Sequence, residues 1–363
     1  MADDAALLRA STGTLNQFVR STVPGLQYIV VTADRVRFEY AGGWADIQGH
    51  KAMRLDTTLM AYSMTKIFTA VAILQLVEQR RLQLDELIDG HLPHAAYRGH
   101  GITLRQLLTH TSGIPNPVPL RWVHLAEEDP GFDEDEALAA VLRENPVLSF
   151  EPGRKFAYSN INYWLLGKIV EQVRGQSFQE YVRLSILRPL QIPPQEMDFV
   201  IPDASRHASG YLGKYTWMNL LKGFVLDRKF VGGYEGRWLR LRNHYVNGPA
   251  FGGLIGTARG FSRFLQDQLR TESVLLGPQT RRLLETPQTD DAGRAIAMTP
   301  GWHVGKTRGV DYLFKEGGGG GFHCEMRIYP TRGIATVVLA NSTDFKSTGL
   351  LNRIDHAFLE SGQ

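Results

Sequence analysis

Apolar residues recur at helical spacing over residues 4–20. Two β-branched, aromatic-rich runs follow, Gln27 to Val31 and Val36 to Tyr40, joined by a short turn, and they predict a strand pair. The run Ile67-Phe68-Thr69-Ala70-Val71-Ala72-Ile73-Leu74-Gln75-Leu76-Val77 predicts a helix from Ser63 to about Arg80. From there to about Leu269 the pattern is mainly helical with long loops, and helices are expected over 103–109, 134–143, 160–173, 176–187 and 257–270. The chain then returns to strands at Gly301 to Gly305, Tyr312 to Gly317, His323 to Tyr329 and Ile334 to Ala340, and closes with a helix over 347–360. Strands at both ends with helices between them predict an α+β fold. The early strands would join the late ones in one antiparallel sheet, covered by the terminal helices. The expected division is an α/β subdomain of residues 1–80 and 271–363, a mainly helical subdomain of 81–270, and a cleft between them.

Composition narrows the partners. A chain of 363 residues can bury a large core, and 43% hydrophobic with 21% charged residues is ordinary for a globular protein. The net charge of +3 is small beside 40 Lys and Arg against 37 Asp and Glu, which argues against a nucleic-acid partner. A single cysteine, Cys324, excludes an intrachain disulfide and reads as a packing residue in a strand. The start, Met1-Ala2-Asp3-Asp4, is acidic and lacks the apolar stretch of a signal peptide, so a cytoplasmic location is expected. No apolar run approaches the ~20 residues that span a bilayer.

Chemistry concentrates in three places. Ser63-Met64-Thr65-Lys66 is the sole S-x-x-K in the chain. Residues three apart share a helix face, so the lysine amine can reach the serine hydroxyl. A serine needs a partner to take its proton before it attacks a carbonyl, and a partly desolvated lysine can do so. Tyr158-Ser159-Asn160, after Glu151-Pro152-Gly153, offers a phenol for proton relay and an amide for the substrate. Lys315-Glu316-Gly317-Gly318 is the one place where glycine follows a lysine by two residues, and glycine lets a substrate approach a strand closely. The bland alternatives are a surface serine and lysine, and an Asn160 that merely caps its helix.

Other patterns weigh less. Gly301-Trp302-His303-Val304-Gly305-Lys306-Thr307 is one residue short of a P-loop and has Pro300 where glycine is required. Tyr245-Val246-Asn247 is a second Y-x-N without the Pro-Gly lead-in. His91, His94, His100 and His110 cluster without metal-ligand spacing, and His110 reads as a structural residue beside the cleft. No G-x-S-x-G occurs, which disfavours an α/β-hydrolase nucleophile elbow.

The order S-x-x-K, Y-x-N, K-x-G resembles the serine β-lactamase and penicillin-binding-protein superfamily, in its class C-like branch of β-lactamases, DD-peptidases, D-aminopeptidases and family VIII carboxylesterases. Leu107-Leu108-Thr109-His110-Thr111-Ser112-Gly113, the helix after Tyr158, and Gly252-Gly253-Leu254-Ile255-Gly256-Thr257-Ala258 are similar to further segments of that family. The resemblance implies a β-lactamase-like fold and a serine hydrolase working through an acyl-enzyme on Ser63, with no metal or organic cofactor. Lys66 and Tyr158 would share the proton traffic, with the free-enzyme base left open between them. The backbone N–H groups of Ser63 and Gly318 would form the oxyanion hole. Asn160, Lys315, Glu316 and Gly317 would border the substrate.

For substrate, Glu316 stands where carboxylate-binding relatives have Thr or Ser, and a carboxylate in the cleft would disfavour an anionic substrate. The run Tyr211 to Val225 is rich in large apolar groups and reads either as an apolar wall for an acyl group or as a core or homodimer contact. Both features lean to a carboxylesterase for neutral short-to-medium esters. The alternatives are an amide hydrolase of the β-lactamase, DD-peptidase or D-aminopeptidase kind, and a non-catalytic penicillin-binding-like protein.

Overall fold

The computed structural model describes residues 2–92, 96–117, 122–216 and 227–360. Seven strands form one antiparallel sheet: β1 (Gly25–Val31), β2 (Val36–Asp46), β3 (Lys51–Ala52), β4 (His303–Thr307), β5 (Val310–Gly319), β6 (Phe322–Tyr329) and β7 (Ile334–Ala340). Their order is β4-β5-β6-β7-β1-β2-β3, so the two ends of the chain meet where β1 pairs with β7, Tyr28 opposite Val338. Every residue of β1 and β7 is buried, because both faces of these central strands are covered. On one face Tyr28, Val30 and Val338 pack with Leu15 of helix α1 (Ala2–Ser21) and with Leu351, Ile354 and Phe358 of the last helix (Ser347–Glu360). On the other, Ile29, Val31, Val337 and Leu339 join the main core with α2 (Thr65–Glu78). Alternate side chains of one strand therefore serve two cores. α2 is buried through Leu76, which explains its apolar character on every side.

The expected α+β frame stands, with three differences. Ser63 lies not in α2 but in a single 3₁₀ turn, Tyr62–Met64, that leads into it. The middle of the chain is less helical than its pattern predicts. Short strands 210–213, 238–241 and 231–235 form one small sheet, 123–125 pairs with 244–246, and 255–256 pairs with both 59–60 and 197–198. These strands hold two to five residues and, apart from the 231–235 and 238–241 pair, take partners far away in sequence, so no local period betrays them. Finally, helix α4 (Ala258–Leu269) packs on β1 and β7 rather than with the helical region, where the boundary near 270 would put it. Before it, α3 (Asn160–Arg174) ends at Gly175 in the left-handed region. The run 176–187 is a short helix Phe178–Val182 continued by a π turn, and Pro278–Glu285 is a helix the periodicity missed. Of the apolar run Tyr211 to Val225, Tyr211 to Gly213 is strand and residues 217–225 lie outside the described residues.

Candidate active site

Three elements deliver the chemistry: the turn at Ser63 with α2, the loop entering α3, and β5. Ser63 Oγ lies 2.8 Å from the Tyr158 hydroxyl and 3.0 Å from Lys66 Nζ. Lys66, fully buried, also donates to Asn160 Oδ1 and to the Phe251 carbonyl, each at 2.7 Å. A neutral amine has two N–H bonds and one lone pair. The two fixed oxygens satisfy the two N–H bonds, which leaves the lone pair directed at Ser63. Burial, and then the charge of Lys315, holds the Lys66 ammonium well below its ordinary pKa. Burial pushes the Tyr158 phenol the other way, upward.

Tyr158 is placed by a clamp. Ala157 N–H donates to the His110 carbonyl, Ser159 N–H to His110 Nδ1, and Asn160 N–H to Asn116 Oδ1. Because His110 Nδ1 accepts, its proton sits on Nε2. Its ring stands 4.4 Å from that of Tyr158. Ser112 Oγ donates to Asn162, and the Tyr163 hydroxyl to the Leu108 carbonyl, so the 107–113 segment grips the start of α3. Gly153 turns the loop with φ of +79°. The helix cap at this point is Ser159, not Asn160, whose amide oxygen goes to Lys66 instead.

On β5, Lys315 is buried, with Nζ 5.4 Å over the Tyr158 ring and 3.4 Å from His303 Nε2. Burial lowers its pKa to about 7. A Cβ on Gly317 would stand 2.2 Å from the Ala61 carbonyl oxygen and 3.0 Å from Ser63 N, so only glycine lets the strand lie against the Ser63 backbone. Gly318 follows on the opposite face of the strand. Glu316 is a correction to the expectation that it borders the substrate directly. It alternates away from Lys315, is half-exposed, and pairs with His323 Nε2 at 2.9 Å. The gathering of groups at Ser63 does not include it.

The second Y-x-N is not brought to Ser63. The Tyr245 hydroxyl accepts from Ile201 N–H, and Asn247 bonds His124. The near-P-loop is the edge strand β4. His91 pairs with Glu86 while His110 serves the Tyr158 clamp, and His94 lies outside the described residues. Among the described residues, no group of three or more His, Cys, Asp or Glu is placed to hold a metal ion.

Four residues were missed by sequence reasoning. Tyr62, next to Ser63, has φ of +43°, an unusual conformation for a tyrosine. Its hydroxyl meets His244 Nε2 at 2.9 Å and the Gly320 carbonyl at 3.0 Å, which ties the Ser63 turn to the end of the glycine strand. His303 was hidden in the P-loop decoy, and His323 faces Gly318 across the β5–β6 pair. The adjacency of Tyr62 and the strand pairing of His323 were signals in reach; His244 had none, because its approach to Tyr62 is non-local.

Beside Ser63 opens a cavity of about 340 Å³, walled by Trp122, Leu212, Phe230, Leu241, Val246 and Phe251, with Gly318 to Gly320 and His323 on the strand side. No lysine or arginine lines it among the described residues.

A family profile described as Beta-lactamase matches residues 12–359. Protein flp of Staphylococcus aureus (strain MW2) is 34% identical over 176 residues, which is 47% of this chain and 34% of that protein. The matched part thus spans about a third of the length of that curated relative. The fold matches the D-amino acid amidase from Ochrobactrum anthropi SV3 solved with L-phenylalanine amide, with TM-score 0.79, 21% identity and coverage of 98% of this chain and 100% of that one. It also matches the octameric penicillin-binding protein homologue from Pyrococcus abyssi, with TM-score 0.78, 23% identity and coverage of 98% and 77%.

Proposed function

The chain belongs to the Beta-lactamase family of serine hydrolases, and we propose that it hydrolyses neutral esters with short-to-medium acyl groups through an acyl-enzyme on Ser63. The observation that carries the hydrolase reading is the contact of one serine oxygen with both Lys66 and Tyr158. Lys66, held neutral by burial, takes the Ser63 proton as Oγ attacks the carbonyl. The N–H groups of Ser63 and Gly318 receive the oxyanion. Tyr158, kept protonated by burial, hands a proton to the leaving alcohol and is reprotonated from Lys66. Water then attacks the acyl-enzyme, its proton returns through the same pair, and the acid leaves. Asn160 orients the Lys66 amine, and Lys315 supplies positive potential beside the Tyr158 ring.

The ester preference rests on the cavity. Its walls are mostly apolar and, among the described residues, carry no lysine or arginine to hold a substrate carboxylate, so we read it as the acyl pocket. Amide hydrolysis is the second reading, because the same relay can protonate an amine leaving group. A panel of p-nitrophenyl butyrate, nitrocefin and D-amino-acid p-nitroanilides, with intact mass of the trapped enzyme, separates them. The butyrate is expected to exceed nitrocefin by at least about 10-fold in kcat/KM, roughly 1.4 kcal/mol of transition-state discrimination. Nitrocefin or an anilide turned over as fast as the butyrate would reverse the order.

The two lysines give a pH prediction. kcat/KM must rise with pH as Lys66 loses its proton. The charge on Lys315, present below about pH 7, lowers the Lys66 pKa. Lys315→Met removes that repulsion, so Lys66 keeps its proton to higher pH and the acidic limb moves to the alkaline side. A limb that stays in place, or moves to lower pH, would detach Lys315 from the relay.

A further inference from the structure

The strand side of the cavity carries a polar pair that this mechanism leaves unused. His323 on β6 stands opposite Gly318 on β5. Its Nε2 is 2.9 Å from Glu316 Oε1 and 3.1 Å from Ser347 Oγ. A carboxylate can only accept, so Nε2 carries a proton, and in the neutral ring Nδ1 does not. Ser347 sends its own O–H to Glu325 and can therefore accept from the same Nε2–H. Nδ1 is left with its lone pair. A Cβ on residue 318 would lie 3.0 Å from that nitrogen, so glycine at this position keeps the space before Nδ1 open. Glu316, held below its usual carboxyl range first by its bond to His323, stands as an anion behind the ring and strengthens it as an acceptor. The other face of the imidazole is closed by the edge of Phe345, 5.6 Å away.

A largely apolar pocket that no lysine or arginine lines among the described residues, with an open acceptor on its strand side, selects for a donor. A substrate lacking the donor leaves Nδ1 dry and unpaired, which is how a hydrogen-bonding site rejects an apolar analogue. A carboxylate would meet a lone pair backed by an anion. A cation would be opposed by the positive potential of Lys315 on the Ser63 side. A neutral hydroxyl meets neither objection. We propose that His323, backed by Glu316, is the acceptor subsite for a hydroxyl group on the acyl chain, so that hydroxyacyl esters are preferred over their unsubstituted counterparts. This rests on the reading of the cavity as the acyl pocket.

The test compares p-nitrophenyl 3-hydroxybutyrate with p-nitrophenyl butyrate in wild type, His323→Phe and His323→Asn. In parallel, binding of methyl 3-hydroxybutyrate and methyl butyrate to Ser63→Ala is measured by calorimetry. Wild type is expected to favour the hydroxy ester by about 3- to 10-fold in kcat/KM, the size of one net hydrogen bond. His323→Phe should bring the ratio near one. His323→Asn, whose amide reaches the Nδ1 position, should keep part of the preference. Ser63→Ala should bind the hydroxy ester more tightly by a similar factor. A wild-type ratio near one with equal binding overturns the proposal, as does a ratio that survives His323→Phe. A larger gain with p-nitrophenyl 3-aminobutyrate would reassign the subsite to a cation and also overturn it. If neither ester is turned over but Ser63→Ala binds the hydroxy ester preferentially, the subsite stands and the ester reading falls.

Discussion

Alanine at Ser63 is expected to abolish turnover while leaving a folded protein. Without Oγ no acyl-enzyme forms, and losses on the order of 10⁵-fold or more in kcat are usual for a covalent nucleophile acting in a relay. The fold should survive because Lys66 keeps Asn160 and the Phe251 carbonyl as partners and Tyr158 keeps Asn160, so each gives up only its bond to Ser63. The thermal midpoint should shift little, since each of the two lost hydrogen bonds contributes about 1 kcal/mol net. A fluorophosphonate probe should add its mass to Ser63 in the wild type and to no serine in the variant. The nearby alternatives are poorly disposed to react: Ser112 Oγ is buried and donates to Asn162, and Ser159 Oγ donates to the Pro115 carbonyl. Labelling at either one would overturn the assignment of the nucleophile.

The second large effect concerns the relay. Lys66→Met keeps the side-chain volume in a fully buried site and removes the base; Tyr158→Phe removes one hydroxyl. Each should lower kcat by roughly 10²–10⁴-fold, the usual cost of a lost proton-transfer group. The double variant should be little slower than the worse single one, because both groups touch the same oxygen and serve one path. Tyr245→Phe is the control. Its hydroxyl accepts from Ile201 N–H rather than meeting Ser63, so rates should hold within about 2-fold if that contact is structural only. Additive losses for Lys66 and Tyr158, or a Tyr245 variant slower than the Tyr158 one, would break the relay as drawn.

The charge pattern around Ser63 gives this relay its direction. Two buried lysines lie close together, and neither makes an ion pair with a carboxylate among the described residues. A low-dielectric site cannot hold both ammonium groups cheaply, so the two pKa values are driven down. Burial pushes the Tyr158 pKa upward and keeps it a neutral phenol. The open choice between lysine and tyrosine as free-enzyme base thus leans to lysine on a physical ground that depends on burial and distance.

Much of the molecule was legible in the chain itself. Periodicity over 67–77, the strand runs at both ends and the helix over 347–360 lie close to their places in the structure, because each is long and its apolar residues recur at one period. Ser63 and Lys66 were readable because both sit within one helical turn, where sequence spacing fixes side-chain spacing. The bringing of Tyr158 to Ser63 Oγ, and of Lys315 to the Tyr158 ring, was readable only through the likeness to a known family. Only the tertiary structure decided the rest. The strand alternation that buries Lys315 turns Glu316 toward His323, and a sequence cannot say which face of an edge-lying strand the cleft will occupy. The short strands 123–125 and 244–246 build cavity walls, yet their pairing spans more than a hundred residues and leaves no local trace. The partners of Tyr62, the tautomers of His110 and His323, and the lowered pKa values of the lysines likewise follow from non-local contacts and burial, quantities that exist only once the chain has folded.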